Sequence, residues 1–313
     1  MKKSIIKLLI VMMILITTSS CSKKEDDIDK VVMTYVSAPL NVPSIIDKDQ
    51  SIYSNAYEKM GLDFEYSNLT SGADQTNALA SGDIQILNAV GGSSVLLAAA
   101  NGADIVILSM YSRGPGAFCM FANDKSLNSP ESLKGKTIAG PKGTNLHELL
   151  VAYLKTSDMS IEDVDFVNMD IPSAVAALDA GSIDVALVGG VASYNLQKAG
   201  KYMICDGEGL ISAVICTATS RKFADVHPDI IDTFLKKQKE ILSYIDGNFD
   251  EAMSITATNL DLDVNAVKDM YALYDFNDAI TSADIEQLKN TEQFLFDSGL
   301  IENHVDVDSL IYN

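Results

Sequence analysis

The sequence predicts an α/β fold with two lobes, on the strength of three observations. Short β-rich runs alternate with helical stretches, which is the pattern of a sheet covered by helices. One phrase occurs twice, as ALASGDIQILNAVGG at 78–92 and as ALDAGSIDVALVGG at 177–190. The chain has 313 residues, of which 47% are hydrophobic, and this is enough for two cores of medium size.

The first 20 residues have the layout of a secretory signal peptide. Lysines precede an apolar run that is short for a membrane span, and small residues follow it. Cys21 comes directly after them, as in a bacterial lipoprotein signal. This resemblance implies a lipid on Cys21 that anchors the protein to a membrane, with plain secretion as the alternative. The charged residues 21–30 predict a flexible tether.

The charge makes nucleic acid a poor candidate partner. The formal net charge is −20 at pH 7, and a polyanion would be repelled by such a chain. The acidic residues are scattered over the sequence without a contiguous acidic tail, so they favour solubility. We expect a monomer.

The cysteines after Cys21 lie in apolar contexts, at Cys119, Cys205 and Cys216. We predict buried thiols, although a Cys119–Cys216 disulfide stays open if the two strands are adjacent. No CxxC or histidine-rich spacing indicates a metal site, and no cofactor is expected.

The first series of elements covers the region up to residue 111. The predicted strands are 31–37, 62–69, 84–90 and 104–111, and the predicted helices are 51–60, 73–81 and 93–101. Gly82 and Gly102 follow the last two helices as C-terminal signals.

The second series covers residues 116–206. The predicted strands are 116–124, 136–141, 164–169, 183–189 and 201–206, and the predicted helices are 145–155, 172–180 and 192–199. A long β-run at 211–221 follows, and after it come amphipathic helices at about 230–245, 249–258, 264–274 and 282–298. We expect this helical tail to pack around one lobe.

The repeated phrase encloses a strand, a helix, a second strand and a loop. Leu79 and Leu178 are predicted on the buried helix face, and Gly82 and Gly181 end the helix. Each copy therefore predicts one βαβ crossover in its own lobe, although such a phrase also recurs by chance in α/β proteins.

Each copy of the phrase ends in Gly-Gly and is followed by a helix start. Open α/β sheets bind ligands in the loops at the carboxyl ends of parallel strands, and helix N-termini offer free N–H groups there. We therefore predict a cleft between the lobes. Its predicted lining residues are Gly92, Ser93 and Ser94 on one wall and Gly189 and Gly190 on the other.

The segment ESLKGKTIAGPKGTNLHELL at 131–150 resembles a segment of bacterial ABC-transporter substrate-binding proteins. The likeness is to the nitrate, sulfonate and taurine branch, the aliphatic sulfonate-binding (NMT1/THI5-like) family, and it extends over most of the chain. It implies a type II periplasmic-binding-protein fold with a hinged interlobe cleft. Lobe I is expected at 31–122 and 209–313, and lobe II at 123–208. The implied partners are a small-molecule ligand and an ABC permease with its ATPase. The implied location of this protein is outside the cytoplasm, at the cell membrane.

The same segment has a chemical interpretation of its own. Gly143 allows a sharp turn, Thr144 or Asn145 caps the next helix, and Glu148 is placed to complete a capping box. A helix N-terminus of this kind favours an anion, and the resemblance implies that Thr144 and Asn145 touch the ligand. His147 either faces the cleft or packs against the sheet.

Five further residues are candidates for ligand contact. Ser37 and Pro39 lie where the family has its first cleft loop, and a plain turn is an equally good interpretation. Arg113 lies at the expected hinge, where a guanidinium can clamp an oxyanion; a solvated arginine is the alternative. Tyr194, together with Tyr111, could stack on a flat ligand, but tyrosines at such positions also serve in cores and rims.

We expect a binding protein and not an enzyme. The chain has no GxSxG, GxxxxGK[ST], HExxH or complete GxGxxG motif. The expected ligand is a small oxyanion such as a sulfonate, taurine or nitrate. The alternatives are a flat heteroaromatic ligand, such as a thiamine-pathway pyrimidine, and an exported enzyme on the same fold.

Overall fold

A computed structural model describes residues 28–36, 40–69 and 71–312. The predicted signal peptide, Cys21, and the candidates Ser37 and Pro39 lie outside the described residues. The predicted tether extends too far, because Ile28 packs against the core and the first strand begins at Lys30.

The strands of lobe I form a two-stranded and a three-stranded sheet, which one bridge connects side by side. These strands are β1 (Lys30–Thr34), β2 (Asp63–Ser67), β3 (Leu87–Gly91), β4 (Val106–Arg113) and β10 (Val214–Thr219). β1 pairs with β2 in parallel. A parallel bridge between Met33 and Ile86 connects β1 to the residue that directly precedes β3. β10 lies antiparallel between β3 and β4.

Lobe II repeats this arrangement. Its strands are β5 (Phe118–Ala122), β6 (Thr137–Gly140), β7 (Asp165–Asn168), β8 (Val185–Gly189) and β9 (Tyr202–Asp206), in the order β7-β6-β8-β5-β9. Here β5 is the antiparallel strand, between β8 and β9. The duplicated sequence phrase thus corresponds to a duplicated βαβ unit.

The pairing of β5 corrects the predicted boundary between the lobes. Phe118–Ala122 was expected in lobe I, but it pairs with two strands of lobe II. The chain therefore crosses between Arg113 and Phe118. Its return passes through 207–213, where Ile211 and Ala213 still pack in the core of lobe II.

Twelve α-helices surround the sheets in the described part of the chain. They are α1 (Val42–Gln50), α2 (Ile52–Lys59), α3 (Gly72–Ser81), α4 (Gly92–Ala100), α5 (Asn145–Lys155), α6 (Ile171–Ala180), α7 (Val191–Lys198), α8 (Arg221–Val226), α9 (Pro228–Gly247), α10 (Phe249–Leu260), α11 (Val264–Tyr271) and α12 (Ser282–Asp297).

The glycine signals for helix ends are confirmed. Gly82 and Gly181 cap α3 and α6 in the left-handed conformation, and Leu79 and Leu178 are buried on those helices as predicted. The helical tail packs around lobe I, where Phe234 of α9 stacks on Tyr53 of α2.

The first crossing is tightly packed. It consists of Gly114 and a short 3₁₀ turn over Pro115–Ala117. A side chain at Gly114 would lie 2.7 Å from the ring of Tyr274, so the glycine allows this tyrosine to lie directly on the hinge backbone.

The described cysteines are all free thiols. Cys119 lies in the lobe II sheet and Cys216 in the lobe I sheet, so the strands that would have to be adjacent for a disulfide are in different lobes. None of the described helices is long and apolar enough to cross a membrane.

Candidate functional site

The start of α4 is the predicted lobe I wall of the cleft, and the starts of α5 and α7 are the predicted lobe II wall. Ser93 is buried, and the Ser94 hydroxyl lies so close to Gly72 that no side chain fits there. A side chain at Gly92 would lie 2.7 Å from Leu288 of α12 and 3.4 Å from the Val214 carbonyl oxygen. Gly92 is thus required for the packing of α4 within lobe I.

The lobe II wall includes the N-terminus of α5. Gly143 has φ +73°, and Thr144 is the N-cap of the helix. The Thr144 hydroxyl donates to the Pro141 carbonyl at 2.8 Å and accepts from the Leu146 N–H at 3.3 Å. Its proton is therefore engaged, and the N–H groups of Gly143 and Leu146 in this turn also have acceptors.

Asn145 has a different environment. It occupies the first position of α5, directly after the N-cap, and is 6% exposed. Its side-chain amide is not among the fully enclosed polar atoms without a partner, so its place at the helix start is what makes it a candidate for ligand contact.

The predicted capping box is wrong. Glu148 does not turn back to the helix start; its Oε1 accepts a hydrogen bond at 3.0 Å from the Thr291 hydroxyl of α12, in the other lobe. Burial raises the pKa of Glu148 to about 7, despite the hydrogen bond from Thr291.

His147 packs against the sheet, which decides between the two alternatives for this residue. Its ring stacks on Phe166 of β7 at 4.6 Å and meets the edge of Phe294 of α12 at 5.5 Å. Nδ1 accepts from the Gly143 N–H at 3.3 Å. Burial, helped by the charge of Lys142, lowers the pKa to about 4. The ring is neutral, with its proton on Nε2.

The other part of the lobe II wall is the start of α7. Gly190 has φ 56° and ψ −126°, a conformation that a side chain would strain. Its N–H donates to the Ala117 carbonyl at 3.0 Å. Tyr194, with Val191, packs against the core of lobe I, and the Lys198 Nζ lies 5.1 Å from its ring centroid. Tyr194 thus belongs to a contact between the lobes.

Arg113 is fully engaged within lobe I. Its guanidinium donates to both carboxylate oxygens of Asp284, to Asp275 and to two backbone carbonyls, those of Asn277 and Ala279. Each of its five N–H groups has an acceptor. This geometry argues against the predicted clamp on a ligand.

Tyr111 belongs to the core. It is 2% exposed, its hydroxyl contacts Ser44 at 2.8 Å, and Asn88 donates to the same serine at 3.3 Å. The Asn88 N–H in turn bonds the Thr34 hydroxyl at 2.7 Å. This buried network holds α1 on the ends of β1 and β3.

Buried polar atoms without a partner concentrate where the lobes meet. In the described part of the chain, four side-chain atoms are of this kind: Gln75 Oε1, Ser112 Oγ, His147 Nε2 and Tyr274 Oη. Ser112 ends the strand before the crossing, Tyr274 lies on Gly114, and His147 lies between the lobes.

Sequence reasoning missed the partners of α5 in lobe I, which include Thr291, Phe294 and Asp297. Glu148 and Thr291 are 143 positions apart, and no local signal joins them. Among the described residues there is no group of three or more His, Cys, Asp or Glu that could hold a metal.

Comparison with known proteins gives consistent results. Residues 55–252 match the family model described as "NMT1/THI5 like". A putative aliphatic sulfonates-binding protein of Bacillus subtilis (strain 168) is 26% identical over 275 residues, covering 87% of this chain and 82% of the relative. The taurine-binding periplasmic protein of Escherichia coli (strain K12) is 31% identical over 183 residues, covering 57% of this chain and 56% of the relative.

The fold is that of the periplasmic binding proteins. The alkanesulfonate-binding protein SsuA from Xanthomonas axonopodis pv. citri, bound to MOPS, superposes with a TM-score of 0.82 at 20% identity, covering 91% of this chain and 98% of that one. The aliphatic sulphonate binding protein SsuA of Escherichia coli gives 0.80 at 17% identity, with 92% and 93% covered. On the family match, which spans most of both lobes, the chain belongs to the NMT1/THI5-like family.

Proposed function

We propose that this chain is the extracytoplasmic solute-binding component of an ABC importer, and that it captures a small oxyanion such as a sulfonate, taurine or nitrate by closure of the cleft. The observation that carries the proposal is the start of α5. There Asn145, 6% exposed, follows the N-cap Thr144, and the helix N-terminus attracts negative charge. The binding functions named for the relatives support the same ligand class.

The proposed contacts come from both lobes. Ser93 and Ser94 lie at the N-terminus of α4, and Asn145 lies at the N-terminus of α5. Gly143 approaches Leu97 one turn along α4, so the two helix starts are on neighbouring elements. The backbone of Thr144, Gly189 and Gly190 completes the proposed set, together with Ser37 and Pro39.

The proposed site contains no arginine, because the donors of Arg113 are used within lobe I. Backbone amides, a side-chain amide and hydroxyls bind a monoanion or a zwitterion. A flat heteroaromatic ligand loses support, since Tyr111 is in the core and Tyr194 is in a packed contact. We propose no enzymatic activity, because the relatives matched are binding proteins.

The remaining parts of the proposal concern location and partners. We propose that Cys21 carries a lipid that anchors a monomer at the membrane, where it delivers its solute to a permease and ATPase. Labelling of the full chain in cells with a lipid precursor tests the anchor, and Cys21→Ser should abolish the label.

The ligand is tested by calorimetry with taurine, ethanesulfonate and nitrate. The wild type is expected to bind at least one of them. Asn145→Asp should weaken this binding by at least about tenfold, or about 1.4 kcal/mol, because it places a like charge at the helix start. Asn248→Asp adds the same charge at the N-cap of α10 in lobe I and should leave affinity unchanged. Equal affinity for all three chains would rule out the α5 N-terminus as the anion site.

A further inference from the structure

Lobe II touches lobe I along one face of α5. Three side-chain pairs join α5 to α12, and we call them the α5–α12 contact. The pairs are His147 with Phe294 at 5.5 Å between ring centroids, Glu148 Oε1 with Thr291 Oγ1 at 3.0 Å, and Lys155 Nζ with Asp297 Oδ2 at 3.8 Å. Because the two helices belong to different lobes, we infer that opening by rotation about the crossings at 114–117 and 207–213 separates all three pairs.

Glu148 is the unusual member of this contact. It is 9% exposed and its Oε1 accepts from a neutral hydroxyl, while no cation within the described residues pairs with it. An ionised carboxylate is poorly accommodated in such a place, whereas a protonated one is stable there. Separation of the lobes would return Glu148 to water, where the ionised form is favoured.

The charged groups on the surrounding elements are engaged elsewhere. On α5, His147 is neutral and Lys155 pairs with Asp297, two turns from Glu148. On α12, Glu292 accepts from the Val305 N–H at 3.0 Å and contacts His304 at 3.0 Å, and Lys289 pairs with Asp308 at 2.8 Å. Lys142, in the turn before α5, is exposed; α4 and β7 contribute Leu97 and Phe166 to this region.

We propose that Glu148 makes closure of the cleft dependent on external pH: the α5–α12 contact takes up the neutral carboxyl, and ionisation of Glu148 favours separated lobes. The proposal rests on the hinged solute-binding function proposed above, and it adds a regulation of the same cleft. A solute that binds between the lobes favours closure, whereas ionisation of Glu148 opposes it.

The direction and the pH window follow from linkage. Burial raises the pKa of Glu148 from 4.5, the value expected in water, to about 7 with the lobes in contact. The ratio of closed to open form is therefore highest below pH 4.5 and falls as the pH rises towards 7. One proton released on opening changes this ratio by at most about tenfold per pH unit. Above pH 7 both forms are ionised, and the ratio levels off.

The test measures the distance between the lobes without any ligand. Spin labels are placed on Lys59→Cys in lobe I and Ser182→Cys in lobe II, both exposed positions. The background carries Cys21→Ser and Cys205→Ser; Cys119 and Cys216 are buried and remain. Pulsed dipolar spectroscopy at pH 5 and pH 7.5 should show that the wild type loses much of its short-distance population at the higher pH.

Glu148→Gln keeps the shape of the side chain and removes its charge, so it should hold the short distance at both pH values. Asp47→Asn is the matched control. Asp47 is also a buried carboxyl whose pKa burial raises to about 7, but it lies inside lobe I, so this variant should respond to pH as the wild type does.

Two results would overturn the proposal: a wild-type distance distribution that does not change with pH, or a Glu148→Gln variant with the full pH response. If Glu148→Gln does not fold, Thr291→Val replaces it. That variant removes the hydroxyl that stabilises the ionised form of Glu148, so the pKa of Glu148 with the lobes in contact should rise. The loss of the short-distance population should then occur at higher pH than in the wild type. An unshifted pH response would again contradict the proposal. No ligand is present in this experiment, so its outcome does not decide the calorimetric test of the proposed function.

Discussion

The guanidinium of Arg113 donates two hydrogen bonds to the carboxylate of Asp284, from Nε at 2.5 Å and from Nη2 at 2.7 Å. The pair joins the end of β4 to the first turn of α12, across 171 positions of sequence. Burial alone would raise the pKa of Asp284, but the hydrogen bonds from Arg113 and Thr281 hold it below its ordinary value. The pair therefore holds the end of β4 against α12 within lobe I, directly before the first crossing.

Arg113→Lys should destabilise the protein without weakening the ligand. A lysine cannot reproduce the paired hydrogen bonds, and Asp284 is only 4% exposed in its side chain, so we expect a loss of about 3 kcal/mol in the free energy of unfolding. Urea denaturation measures this, with Arg221→Lys as the control for the same exchange at an exposed site. A large fall in ligand affinity for Arg113→Lys, measured at a temperature where the variant is folded, would instead indicate that Arg113 contacts the ligand.

Gly114→Ala should disturb the hinge. The new methyl would lie 2.7 and 2.9 Å from two ring carbons of Tyr274 and 3.2 Å from the Leu273 carbonyl, so the tyrosine must move. We expect a destabilisation of about 1–3 kcal/mol, measured by thermal unfolding. Gly247→Ala is the control, since nothing lies within 4 Å of a side chain there. Equal stability of the two variants would mean that Tyr274 moves away from the hinge without cost.

Asp47 should make the stability of lobe I depend on pH. Its carboxylate accepts from the Tyr66 hydroxyl at 2.7 Å and the Tyr53 N–H at 2.9 Å, yet burial raises its pKa from 3.8 to about 7. The protonated form stabilises the fold below pH 3.8, and this contribution is lost as the pH rises to 7.

The measurement for Asp47 is urea denaturation of the wild type and Asp47→Asn at pH 5 and pH 8. From pH 8 to pH 5 the wild type should gain stability relative to the variant, by at most about 1.4 kcal/mol per pH unit below 7. Asp49→Asn, two residues away on the exposed side of α1, should show no such gain. A gain of the opposite sign would mean that Asp47 is ionised in the fold.

Gln238 should be essential to the packing of α9 on the lobe I sheet. Its side chain accepts from Ser109 Oγ at 2.6 Å and donates to the Met110 carbonyl at 2.9 Å, in a buried network with Thr217. Gln238→Met removes the acceptor of the Ser109 hydroxyl, which keeps only Thr217 as a partner within the described residues, and the donor to the Met110 carbonyl, so we expect a loss of about 1–3 kcal/mol. Thermal unfolding compares it with Gln197→Met on the exposed face of α7.

The fold could be predicted from sequence because its signals are local. Gly82 and Gly181 end their helices in the left-handed conformation, and the paired Leu79 and Leu178 mark the buried helix faces. Helix α1 was not predicted. Pro43 occupies the first turn of the helix, where its missing N–H costs nothing.

The candidate site was less predictable because it depends on pairs that are distant in sequence. The position of Thr144 as a helix cap is a local property and is confirmed. The pairing of Glu148 with Thr291, and of Arg113 with Asp284, depends on how the lobes and the helical tail pack. A capping box and a ligand clamp were reasonable local interpretations, and tertiary contacts replaced both.

The central strand of the three-stranded sheet of lobe I, β10, comes from the chain after lobe II, and this affects when each lobe can form during synthesis. All strands of lobe II lie within 118–206, so its sheet can be completed as soon as that segment is available. β3 and β4 of lobe I, in contrast, flank β10, which begins only at Val214. Until it arrives, the facing edges of β3 and β4 are unpaired, and the nascent lobe I is the part of the molecule most exposed to aggregation.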